Sequence, residues 1–310
     1  MIVLKKPPLS LGLERLLSTS PFEIPSRLRF LNLLRNHIAK GDYCFPWQME
    51  NELSVGISNH EVISKYGVGA NCFRYRNWEP HVESVIRKVV QRVQVALDIG
   101  ANIGYFSSVL AQVVGPKGSV FAFEPVAGTF RQLELTKEAN KFSNLNLFQC
   151  GLGEKPEELD IAYDPSISGN SSLYDRSNQG TQKAKERIQI KTLDALYEEG
   201  RIPLCDFIKI DVEGHEIQAL TGGVKYLQQS CPILLYEFNS ETVQLAGYSL
   251  VEFIELTKRF MPDCRHYLIW GDGHLIQSDL ETLKVPLGCH LDLLAVPSQR
   301  ARLVERFLNF

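Results

Sequence analysis

Disulfide and zinc frameworks are missing from this sequence. Its seven cysteines, at positions 44, 72, 150, 205, 231, 264 and 289, are scattered and form no C-x-x-C pair. An odd, unclustered set reads as reduced thiols and therefore as a cytoplasmic chain. No apolar run reaches the length that crosses a bilayer. An export signal is lacking as well, because Pro7, Pro8 and Glu14 interrupt the opening and no convincing small-residue cleavage site follows. The net charge is only −3, which leaves nucleic acid without an electrostatic reason to bind. There is no internal repeat, and the full G-x-G-x-x-G fingerprint of a dinucleotide fold is absent.

What is present is enough apolar material, 44% of 310 residues, for one large core or a core with a small extra layer. The stretch that organises it is VALDIGANIGYFS, Val95 to Ser107. Val95, Ala96, Leu97 and Ile99 form the short apolar run of a strand covered on both faces. Gly100, Ala101, Asn102, Ile103 and Gly104 make a turn, and Ile103, Phe106, Leu110 and Val114 then recur at helical spacing. Strand, glycine turn and helix start form a site for a nucleotide-like ligand. The order D-x-G-x-N-x-G says which ligand. Asp98 repels a pyrophosphate but suits an ammonium and a sulfonium, and S-adenosylmethionine carries both. Glu124, twenty residues after Gly104, ends the next apolar run and is placed to accept two ribose hydroxyls. Gly151, in the edge Cys150-Gly151-Leu152-Gly153, lets backbone approach an adenine.

A second stretch, DFIKIDVEGHE, places Asp211 at the carboxyl end of a strand and Glu213, Gly214, His215 and Glu216 in the turn after it. The buried run CPILLYEFN places Glu237 and Asn239 at the tip of another strand. Carboxyl ends of central strands converge on the ligand crevice of an open α/β sheet. Asp211, Glu213, His215 and Glu237 are therefore the candidate catalytic groups. Crowded carboxylates disfavour each other's ionisation, so one of them can act as a base. A helix amino end beside His215 should lower its pKa. Asp211, Glu237 and Asn239 are also oxygen ligands suited to magnesium, a possibility the sequence permits without requiring.

The remaining chain frames these sites. Ser26 is expected to cap a helix through about Ala39. Residues 1–41 carry an excess of five positive charges, suited to a lid or dimer contact, or to weak contact with an anionic membrane. Residues 42–80 are turn-rich and aromatic and read as an irregular or β-rich preamble, giving an N-terminal extension over 1–80 and a catalytic domain over 81–310. The polar stretch from Asp164 to Glu186 is expected to be a long loop inserted as a substrate lid. A helix over Leu250–Phe260, strands over His266–Trp270 and His290–Val296, and a terminal helix capped by Ser298 complete the pattern.

DIGANIGYFS, FAFEP, QCGLG, IKTLDAL, IKIDVEGHE with ALTGG after it, and YEFN, in that order, resemble the FkbM-type family of S-adenosylmethionine-dependent methyltransferases. The likeness runs from about Val95 to Asn239. It implies a Rossmann-like α/β fold: a seven-stranded sheet with its last strand antiparallel and helices on both faces. It implies methyl transfer from S-adenosylmethionine, typically to a hydroxyl of a sugar, glycan or secondary metabolite. Asp98, Gly100 and Gly104 match the cofactor loop, Glu124 the ribose carboxylate, and Asp211, Glu213 and Gly214 the acidic turn. The rival classes are a silent S-adenosylmethionine-binding scaffold, and a nicotinamide-dependent oxidoreductase, which the missing third glycine disfavours.

Overall fold

The structure, a computed structural model, describes residues 44–58, 60, 61, 64, 67–164, 167–172, 184–277, 280, 285, 286 and 288–307. The helix expected over Ser26–Ala39 lies outside the described residues. The first described elements are an antiparallel hairpin, β1 (Cys44–Gln48) and β2 (Ser54–Ser58). Helix α1 (Val68–Tyr75) follows and stops at Arg76, which turns left-handed with φ 59°. Helix α2 (Pro80–Val89) starts on a proline, the residue that loses nothing by lacking an N–H there. A regular alternation comes next: β3 (Val95–Ile99), α3 (Tyr105–Val114), β4 (Ser119–Phe123), α4 (Ala127–Asn140) and β5 (Leu145–Phe148).

The chain then leaves this rhythm. Strands β6 (Gly151–Leu152), β7 (Glu157–Asp164), β8 (Ile167–Ser172) and β9 (Ala184–Lys191) form a separate sheet in the order β6-β9-β7-β8. The long loop expected over Asp164–Glu186 is thus corrected. Most of its outer parts are strand, and residues 173–183 lie outside the described set. The physical reason is visible in the flanks: Leu159 and Ile161 on β7, and Ile188 and Ile190 on β9, alternate with charged residues, and this period-two pattern lays one apolar face on Val126. Helix α5 (Leu193–Glu198), strand β10 (Phe207–Ile210), helices α6 (Glu216–Thr221) and α7 (Val224–Ser230) and strand β11 (Ile233–Asn239) return to the main sheet. The last part is α8 (Ser240–Leu245), α9 (Leu250–Phe260), β12 (Cys264–Ile269), β13 (Leu275–Ile276) and β14 (His290–Pro297).

The main sheet runs β13-β12-β14-β11-β10-β3-β4-β5. Pairings from β5 to β11 are all parallel, and β14 is antiparallel to both of its neighbours. This is the expected seven-stranded sheet with an antiparallel last strand, extended by the two-residue edge strand β13. Alternate side chains build the two cores. Ala96, Phe207, Leu235 and Leu294 point to the layer of α2 and α3, with Val85, Ile86, Val109 and Leu110. Leu97, Ile208, Leu234 and Ala295 point to the opposite layer, with Leu227 and Phe253.

The hairpin is docked on the catalytic layer. The Gly56 N–H donates to Thr136 Oγ1 at 2.7 Å, and the Ser58 N–H to Gln132 Oε1 at 3.0 Å. Trp47 and Phe73 pack against each other at 4.6 Å between ring centroids, so these aromatics of the preamble are core. The terminal helix expected from Ser298 is instead two 3₁₀ turns, Ser298–Leu303 and Glu305–Phe307. Ser298 Oγ donates to the Asp263 carbonyl rather than capping, and Arg300 is held by the Cys231 carbonyl and Asp206. Those anchors set the path of the chain. No helix among the described residues is long and apolar enough to cross a membrane.

Candidate active site

The glycine turn forms at the carboxyl end of β3. Gly100 has φ +80° and packs so closely on β10 that an added Cβ would stand 1.9 Å from the Asp211 carbonyl oxygen. Gly104 has φ +89°, and a Cβ there would meet Leu133 at 2.6 Å. Asn102, also left-handed at φ 52°, turns its N–H toward Glu124. Glu124 is buried; Oε2 accepts from the Asn102 N–H at 3.1 Å and Oε1 from the Val126 N–H at 2.9 Å. Burial pushes its pKa up to about 7. Each oxygen keeps a second acceptor position.

Asp98 does not stand at an open strand tip. It lies within β3, 1% exposed, with Oδ2 accepting from Ser107 Oγ at 2.5 Å. Its Oδ1 is buried without a hydrogen-bond partner among the described residues. Burial raises its pKa, and the charge of Lys209 opposes that shift. Lys209, in register with Asp98 on the next strand, is itself buried. Its ammonium bonds Asp211 Oδ2 at 3.1 Å and sits 4.9 Å from the Phe106 ring centre. Burial works against this charge, but the surrounding Asp211, Asp98 and Glu79 win and raise the pKa. A lysine inside the apolar run FIKI was the sequence signal for it.

Beyond the turn, carboxylates line up across the strand ends. Ile210 pairs with Tyr236, so Asp211 falls beside Glu237, and Glu237 pairs directly with Asp292 on β14. Adjacent strands lie about 4.8 Å apart, so three acidic side chains occupy neighbouring places on one face. The middle one and the one on β14 each hold an imidazole. His290 Nδ1 lies 2.7 Å from Glu237 Oε1, and His81 Nε2 lies 2.7 Å from Asp292 Oδ2. Burial, then the charges of Asp211, Glu213 and Asp292, raises the Glu237 pKa well above the carboxylate range. Glu79, left-handed at φ 41° just before α2, joins from above; burial and Asp211 push its pKa up to about 8. The bond to Asp292 raises the His81 pKa.

The structure therefore brings Asp211, Glu213 and Glu237 together and adds Glu79, His81, Lys209, His290 and Asp292, which sequence reasoning missed. Lone polar residues at element ends carry no pattern until the strands are in register. His215 is separated from this row. It lines a different wall, its only charged influence is Glu157, and burial, rather than a helix end, lowers its pKa to about 4. Glu216, not Glu213, satisfies the turn: its Oε1 accepts from the Val212 and Gly214 N–H groups at 2.9 and 3.2 Å. Glu213 instead takes φ 54° and faces Glu237. The magnesium set of Asp211, Glu237 and Asn239 is not assembled, because Asn239 Oδ1 caps α8 through the Glu241 and Thr242 N–H groups. Among the described residues no three His, Cys, Asp or Glu side chains are placed to share a metal ion. Gly151 follows β5, with Ile190 and Pro125 beside it.

A parallel sheet closed by an antiparallel seventh strand, with a glycine turn after its first strand and acids at the next strand ends, defines the methyltransferase class of Rossmann-like folds. The chain belongs to the FkbM methyltransferase family: the model of the Methyltransferase FkbM domain matches residues 98–265, more than half of the sequence. Methyltransferase 1 of Beauveria bassiana is 32% identical over 142 residues, covering 41% of this chain and 57% of that protein. The hexuronic acid methyltransferase AglP of Haloferax volcanii is 31% identical over 151 residues, covering 47% and 58%. Methyltransferase FkbM from Methylobacillus flagellatus KT shares 18% identity at a TM-score of 0.43, over 65% of this chain and 43% of that one. The chain thus spans less than two thirds of the length of these relatives.

Proposed function

We propose that this protein is an S-adenosylmethionine-dependent O-methyltransferase acting on a hydroxyl of a sugar, glycan or related secondary metabolite. The observation that carries the reading is the juxtaposition of two half-sites at one sheet edge. The turn at Gly100, the orphaned oxygen of Asp98 and the spare acceptor positions of Glu124 are on one side. The carboxylate row with its imidazoles is on the other.

The first half fits the cofactor. Asp98 Oδ1, buried and unpartnered, suits the ammonium of the methionine part, and Glu124 suits the ribose hydroxyls. When bound, the sulfonium supplies a methyl group that is already electrophilic. The protein's own tasks are alignment, exclusion of water and removal of one proton. Lys209, paired with Asp211 at 3.1 Å, neutralises the β10 end of the row. Glu237 bonds His290 Nδ1 at 2.7 Å; with Glu237 ionised it accepts from Nδ1–H, and Nε2 is the nitrogen that takes the hydroxyl proton. Asp211 and Glu213, close enough to Glu237 to act on its charge, are acceptors for neighbouring hydroxyls. A relative named as a hexuronic acid methyltransferase supports a sugar acceptor. The acidic rim here favours one without a carboxylate of its own.

Calorimetric titration with S-adenosylmethionine, S-adenosylhomocysteine and NAD, repeated with Asp98→Ala and Glu124→Ala, tests the assignment. Binding of the first two, weakened in both variants, is expected and leads to neutral methyl hexosides as first acceptor probes, with and without magnesium. Binding of NAD alone, or of nothing, refutes the reading. Cofactor binding with no turnover on any acceptor would mark a silent scaffold.

A further inference from the structure

A pocket opens on the other side of the strand ends from the carboxylate row. Gly100 and Pro125 form its mouth, Gly151 and Ile190 its far wall, and Val212 and His215 its near wall. Its cavity volume is about 40 Å³, continuous at the mouth with open solvent. Pro125 follows Glu124 directly, so a base attached to a ribose held by Glu124 would enter here. Among the described residues lining this pocket, His215 contributes the only side-chain nitrogen or oxygen. The rest is aliphatic, aromatic, sulfur or glycine, a surface for the flat face of a heterocycle.

His215 is poorly explained by folding alone. Its Nδ1 is buried with no hydrogen-bond partner among the described residues, and a buried polar atom left unpaired is unfavourable. The ring lies over Gly153, where an added Cβ would stand 3.2 Å from His215 Nε2. At neutral pH the imidazole is uncharged, since burial lowers its pKa to about 4. A neutral imidazole offers one donor and one acceptor, and the edge of an adenine offers an amino donor beside ring-nitrogen acceptors. A low-pKa imidazole remote from the acceptor row makes a poor general base and a good reader of a purine edge.

We propose that His215 recognises the adenine of the cofactor, its Nδ1 accepting a hydrogen bond from the 6-amino group in the pocket between Gly151 and Val212. The assignment rests on the S-adenosylmethionine reading above. It makes His215 a binding residue for the nucleoside and takes it out of the proton transfer.

The test is a thermodynamic cycle that needs no acceptor. S-adenosylhomocysteine and its 6-deamino analogue, which carries unsubstituted purine in place of adenine, are titrated into wild type and His215→Leu. Wild type should prefer the amino compound by about tenfold, the worth of one ordinary hydrogen bond. His215→Leu should bind both compounds equally. A preference retained in the variant overturns the proposal while leaving the methyltransferase reading intact. Failure of wild type to bind either compound sinks both. Should His215→Leu fail to fold, ¹⁵N NMR of the wild-type imidazole decides: the Nδ1 resonance shifts on addition of S-adenosylhomocysteine but not of the deamino analogue. An identical response to both compounds, or none, refutes it.

Discussion

Lys209→Met is the substitution that bears hardest on the electrostatic logic of the site. The methionine fills much of the same space and keeps the contact with Phe106, but removes the one buried cation among Asp98, Asp211 and Glu79. Breaking a buried ion pair by deleting one partner costs about 3–5 kcal/mol. Asp211 is 30% exposed, so solvent screening brings the expected loss to roughly 2–3 kcal/mol. For a chain of this size that is a fall in melting temperature of about 5 °C. The pH dependence is the sharper signature. Glu79 and Glu237 have folded pKa values raised above the ordinary carboxylate range, Glu79 to about 8. The folded state therefore binds more protons than the unfolded state between about pH 4.5 and 8, and stability falls as pH rises through that window. Lys209 holds the Glu79 pKa down, so removing it raises that pKa further and extends the fall to higher pH. Urea denaturation of both proteins at pH 5 and pH 8 should show the ion-pair deficit at both values, and a larger one at pH 8, where the ionised Glu79 has also lost the Lys209 charge. A variant as stable as wild type at pH 8, or a deficit equal at both values, refutes the reasoning.

Gly100→Ala should abolish measurable cofactor binding, because its φ of +80° is strained for alanine and the new methyl would sit 1.9 Å from the Asp211 carbonyl oxygen; calorimetry with S-adenosylhomocysteine checks this, and unchanged affinity would mean the turn does not have this geometry. Glu124, with a pKa of about 7, accepts from ribose hydroxyls best when ionised, so affinity for S-adenosylhomocysteine should weaken as pH drops from 8 to 6. That dependence should vanish in Glu124→Gln, and an equal slope in the variant would place the titrating group elsewhere.

The match to the family spans residues 98–265, while Glu79, His81, His290 and Asp292 stand outside it. The cofactor half of the crevice is thus built by the shared domain. Much of the carboxylate row, the acceptor side in the function proposed above, is contributed by segments on either side, delivered to the strand ends by α2 and β14. Acceptor choice should accordingly be decided by these flanks more than by the shared motifs.

The cofactor half was legible in the amino-acid order because its parts are local. A strand, a left-handed turn and a helix start occupy Val95 to Ser107, and Gly100 and Gly104 are needed wherever such a turn meets a neighbouring strand. The alternation of β3 to β5 and the apolar runs of β10 and β11 announced a parallel sheet for the same reason. The small sheet escaped because its alternating strands flank a polar stretch that dominates the local composition. The 3₁₀ ending escaped because contacts of Ser298 and Arg300 with distant carbonyls outweigh a helical spacing.

What the sequence by itself determined is the chemistry available: an acidic residue and a glycine turn for a cationic nucleoside, and acids at strand ends for a proton. What only the tertiary structure decided is which groups share a space. Register between β10, β11 and β14 sets Asp211, Glu237 and Asp292 side by side, whereas the turn after Gly214 carries His215 to the opposite wall. A two-residue separation in sequence says nothing about direction once the chain turns, and pairing across strands far apart in sequence says everything about proximity.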